Sequence, residues 1–179
     1  MSDINMLYII QKMSQVQLLE KEFNRLSKKI DVPERLKPNF GPSDYDEKPY
    51  VFQDYKNNLH YTAKERGQIS FDKITSDFDE ILYWIFDSIT SSMAFDFELN
   101  SRIEEQDCRR IAFADQTQLM NALNKIWGKK TIKEHNEILK EHPFDDFASI
   151  RATYCRQLRS QGLDEDEIDQ RAYEKYPEK

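Results

Sequence analysis

The sequence predicts an α+β fold, mainly helical, in which a small three-stranded antiparallel meander at about residues 50–74 packs against a helical bundle. Three observations predict it. Apolar residues recur at spacings of three and four over most of the chain. Between Tyr50 and Thr75 the period changes to two. That stretch is punctuated by Asn57-Asn58 and Arg66-Gly67, both plausible turn sites. At 179 residues, residues 1–179 are expected to form a single domain.

The elements follow in order. Over residues 1–31, Ser2 or Asp3 can cap a long amphipathic helix whose stripe is Met6, Ile9, Met13, Val16, Leu19, Phe23, Leu26 and Ile30. Such a stripe is core, or else the seam of a homodimer or adaptor. Pro33 ends the helix near Val32, and Pro38, Gly41, Pro42 and Pro49 mark a turn-rich link. The strand segments are YVFQDY, LHYTAKE and ISFDKIT. Helix resumes at Ser76 or Asp77, and further helices are expected over 106–127, 131–141, 144–160 and 165–176, punctuated by Gly128, Pro143 and Gly162.

Charge is unevenly placed. The chain has 33 acidic and 26 basic residues, and Asp77–Asp107 alone holds nine acids and one base, leaving the remainder slightly positive. A local acidic surface steers a basic partner. It disfavours nucleic acid, whose phosphates need clustered Lys and Arg. No apolar run reaches membrane-spanning length or has the flanks of a signal peptide, so a cytoplasmic protein is expected, with Cys108 and Cys155 as reduced thiols.

On a helical wheel, Phe78, Ile81, Leu82, Ile85, Ile89, Met93, Phe97 and Ile103 form the core face of Asp77–Asp107. Glu80, Asp87, Glu98 and Glu105 are separated by 7, 11 and 7 residues and so return to one direction, giving a carboxylate stripe bordered by Trp84. These five residues are the expected contacts for a basic protein. The bland alternative is a solvated helix face, although interleaved lysines are missing. Asp96 projects into the apolar face beside Ser92 and Asn100, with Arg109 and Arg110 as the nearest partners in sequence. These four, Asp96, Asn100, Arg109 and Arg110, are expected to be structural polar residues.

Catalytic signatures are weak. There is no glycine-rich phosphate loop, nucleophile elbow, paired-Cys motif or HExxH, and no catalytic residue, cofactor or metal is expected. A metal-assisted hydrolase using Glu104, Glu105, Asp107 and a histidine is the remaining enzymatic alternative.

From about Leu26 to Asp146 the order of features resembles the immunity protein 63 family of bacterial polymorphic toxin systems. The resemblance is carried by IDVPERLKPNFG, HYTAKERGQ, DFDEILYWIFDSIT, FELNSRIEEQDCRRIAF and EILKEHPFDD, with residues 147–179 as a helical extension beyond it. It implies a cytosolic protein that binds a cognate toxin domain, and it assigns no catalytic residue. Many toxin domains of such systems are basic nucleases, which accords with the local acidity.

Overall fold

The computed structural model describes residues 14–41 and 48–178. Where one domain is expected from length, the chain divides into two compact units, one up to Ile89 and one from Thr90. Met6, Ile9 and Met13 of the expected first stripe lie outside the described residues. Helix α1, Gln15–Ser27, has Ser14 in extended backbone as its N-cap. The Ser14 hydroxyl accepts from the Gln17 N–H at 3.2 Å and the Gln17 side chain accepts from the Ser14 N–H at 2.9 Å, a reciprocal cap that starts the described helix at Gln15.

The first unit is a mixed sheet with α1 and the first half of α2 on one face. Strands β1 (Asn39–Phe40), β2 (Tyr50–Gln53), β3 (Leu59–Glu65) and β4 (Gln68–Thr75) lie in sequence order. The expected three strands are present and antiparallel; the fourth, β1, pairs in parallel with β2. Two residues between Pro38 and Gly41 are too few to show an alternating pattern.

Both turns form where the sequence places them. Arg66 and Gly67 carry positive φ angles of 51° and 77°, the left-handed pair that a two-residue hairpin requires. At the other turn, Asp54 Oδ1 accepts from the N–H groups of Lys56 and Asn58, both at 2.8 Å, while Asn57 takes a φ of 67°.

Register puts Val51, Tyr61 and Lys73 on one face and Phe52, His60 and Ile74 on the other. Opposite Ala63 and Lys64 the β4 residues are Phe71 and Ile69, so Ser70 is an extra, bulged residue that interrupts the free edge. On the helical side, Phe23 stacks on Phe86 at 5.2 Å and meets Phe40 at 5.3 Å. Leu19, Val51, Leu59, Ile81 and Ile85 complete this core.

Helix α2, Phe78–Asn100, runs from the first unit into the second. Asp77 caps it by accepting from the N–H groups of Asp79 and Glu80. The second unit continues with α3 (Cys108–Leu123), α4 (Lys125–Glu141), α5 (Ala148–Ser160) and α6 (Glu165–Lys175). Helices α3 and α4 form a hairpin, as do α5 and α6.

The break between α3 and α4 falls at Asn124, in extended backbone, whose side chain accepts from the Ile126 N–H. Gly128, expected to punctuate helices, is instead buried inside α4, where a Cβ would run into the Asn121 side chain of α3. His135 of α4 is buried, lies flat on Phe113 at 3.9 Å and donates from Nε2 to Gln116 Oε1. Burial holds its pKa below the ordinary histidine value.

Candidate functional site

The expected carboxylate stripe does not survive as a stripe. Helix α2 ends at Asn100, so the step from Glu98 to Glu105 leaves the helix, and Glu105 lies exposed in the 101–107 link. The termination is local. The Ser101 N–H turns back to the Glu98 carbonyl, a tighter three-residue step than the helix uses, and the Asn100 side chain donates to the Asp96 carbonyl at 2.8 Å.

Glu98 is the larger correction. It is 1% exposed, and Arg102 clasps it through two parallel bonds of 2.8 and 2.9 Å. Those bonds hold the Glu98 carboxyl below the usual carboxylate range. A residue expected at the surface is therefore a buried anion, whereas Asp96, expected at the centre of the core face, is only half-buried.

In the first unit, Glu80 is half-buried and accepts from the Thr75 hydroxyl at 2.7 Å. Trp84 is half-buried, with the Lys73 ammonium 5.7 Å from its ring centre. Asp87 is half-buried near Tyr61, whose phenol is raised in pKa first by burial, with the Ser88 hydrogen bond opposing it and the Asp87 charge adding to it.

Arg109 and Arg110 are structural, with partners other than Asp96. Asp107 caps α3 by accepting from the Arg109 N–H, and its carboxylate also receives the Arg109 side chain at 2.6 Å and the Asp145 N–H at 2.9 Å. Burial pushes Asp107 up, but these donors outweigh it and the carboxyl lies below its ordinary range. Arg109 reaches on to the carbonyls of His142 and Pro143, both at 2.8 Å, and Arg110 pairs with Asp146 while stacking over Phe144 at 4.2 Å.

Buried Arg151 of α5 extends this network, donating to Asp145 and to the Tyr176 carbonyl. The DCRR and HPFDD segments are thus two halves of one clasp joining the start of α3 to the α4–α5 link. Sequence reading found the arginines but missed Asp145, Asp146 and Arg151. Their spacing of about 36 residues from Asp107–Arg110 offers no local periodic signal.

Glu104, Glu105 and Asp107 do not gather into a cation site. Among the described residues, no group of three or more His, Cys, Asp or Glu side chains is arranged to hold a metal ion. No helix among them is long and apolar enough to cross a membrane. Cys108 and Cys155 are free and half-buried.

Residues 55–137, somewhat under half the chain, match the family model described as Immunity protein 63. The match runs from the β2–β3 turn into α4. It includes DFDEILYWIFDSIT and the DCRR half of the clasp, while IDVPERLKPNFG and HPFDD lie outside it. Neither a curated protein nor a solved structure matches the chain.

Proposed function

We propose that this protein is an immunity protein of a bacterial polymorphic toxin system, and that it neutralises a cognate toxin domain in the cytoplasm by direct stoichiometric binding. The family match over residues 55–137 carries the reading. The protein then acts by occupying its partner and performs no reaction of its own. The acidity of Asp77–Asp107 favours a basic toxin domain, a nuclease being one such class.

Of the contacts expected from sequence, Glu105 is fully available, while Glu80, Trp84 and Asp87 offer partial surface. Glu98 is withdrawn because Arg102 and burial already satisfy it. The test is co-expression with the C-terminal domain of the protein encoded immediately upstream. The expected outcome is a one-to-one complex and restored growth of cells carrying the toxin domain. Failure of both would refute the reading.

A further inference from the structure

The last turns of α2 have an inverted pattern. The segment Phe95-Asp96-Phe97-Glu98-Leu99-Asn100 alternates apolar and polar residues, a period suited to a strand. Wound as helix, alternate residues step by about 200° and cannot share a face. Buried Ala94 and Glu98, four apart, mark the inward direction. The large apolar residues are left outside: Phe95 is 38% exposed, Phe97 51%, Leu99 61%, and Ile103 just beyond the helix 53%.

Phe95 and Leu99, four apart, share one outward direction and Ile103 follows in the link, an exposed apolar surface of the kind that partners cover, while Phe97 projects from another side of the helix. Ile103 also forms one wall of a pocket of about 280 Å³, lined further by Gln106, Cys108 and Ser149, so the surface offers a recess beside its projecting groups. The recess is also lined by Arg102, Asp107, Arg109 and Asp145, with Arg102 paired to buried Glu98 and Arg109 to Asp107. Arg102 is the only basic residue from Thr90 to Asp107, and Glu104 and Glu105 are exposed, so the segment carries net negative charge.

We infer that the α2 tail and the link after it, Phe95–Glu105, are the docking surface for a basic face of the toxin domain. Phe95, Leu99 and Ile103 act as apolar anchors, and Glu104 and Glu105 steer association. This deepens the immunity reading and rests on it. The apolar anchors set the dissociation rate, because their burial is lost only when the complex separates. The glutamates act at longer range and so set the association rate and its dependence on salt.

The experiment measures binding of the full chain to the toxin domain encoded upstream, together with the mass of the free protein in solution. The Phe95→Ser, Leu99→Ser double variant should weaken binding by about 100-fold or more through faster dissociation. The Glu104→Lys, Glu105→Lys variant should slow association by about tenfold at low salt, with the difference shrinking at high salt. Both variants should keep the helical spectrum and melting temperature of the native protein. If the double variant does not fold, the single Leu99→Ser variant carries the test with a smaller expected loss.

If the native chain binds and the apolar variants bind equally tightly, the surface is misplaced while the immunity reading stands. If the native chain fails to bind or protect, the immunity reading falls and this surface with it. If the native chain is a dimer that these substitutions make monomeric, with toxin affinity unchanged, the patch is a seam between copies and the proposal is overturned.

Discussion

Phe78–Ile89 and Thr90–Asn100 are consecutive parts of one helix, yet they distribute apolar residues in opposite ways. In the first part Ile81, Leu82, Ile85, Phe86 and Ile89 recur at helical spacing and are buried, while Asp79 and Ser88 face solvent. In the second, the inward position is taken by Glu98, and Phe97 and Leu99 point outward. The first pattern needs only the fold to explain it. The second is explained by a partner, because folding alone gains nothing from two exposed apolar side chains and a buried carboxylate.

Substitutions can break this contrast in order of size. Phe86 is fully buried and stacked on Phe23, so Phe86→Ala should destabilise the protein by about 3–5 kcal/mol in a urea titration. A loss below about 1 kcal/mol would remove the ring from the core. Next is the Glu98–Arg102 pair. Arg102→Ala leaves the Glu98 carboxylate without its donor and should lower the urea midpoint by less than Phe86→Ala does, whereas Glu98→Leu should leave it unchanged or raise it.

The pair also predicts a pH dependence. Because Glu98 has a lowered pKa in the folded chain, its contribution is fully present above the ordinary glutamate value of about 4.3. The contribution is lost as pH falls from there through the lowered folded value. Denaturation midpoints measured down this range should fall less steeply in Glu98→Leu than in the native chain. The smallest expected effect is at Leu99, where Leu99→Ser should change stability by no more than about 0.5 kcal/mol. A larger loss would mean that Leu99 is packed and the two halves of α2 are alike.

Local chemistry made much of the fold legible. The alternation of β2 to β4 and the Arg66-Gly67 turn specify strands through side-chain faces and backbone torsion, both local properties. The wheel for α2 succeeded over Phe78–Ile89 for the same reason. Beyond Thr90 the helix continues but its buried side turns: Thr90, Ala94 and Glu98 face inward, a different direction from Ile81, Ile85 and Ile89, so Phe97 is exposed and Glu98 buried. Ile103 and Glu105 leave the wheel altogether because the helix ends at Asn100, which no glycine or proline announces. The distant partners of Arg109 and Arg110 are hidden for another reason: the His142 and Pro143 carbonyls and Asp146 become neighbours only after α3 and α4 fold back as a hairpin. The candidate docking surface was partly visible, since Glu105 was singled out. Of the anchors, Ile103 falls on the core face of the sequence wheel, and Phe95 and Leu99 on neither of its faces.

Gly128 shows how one hydrogen atom can weaken a familiar ranking. Alanine normally replaces glycine inside a helix with a gain of up to about 1 kcal/mol. At this position the added methyl would overlap the Asn121 amide on the facing helix. That amide donates to the Thr117 carbonyl at 2.9 Å and has to swing away before a methyl fits, so helix propensity alone overstates what alanine gains here. The close approach of Asn121 to α4 uses the absence of a side chain at Gly128.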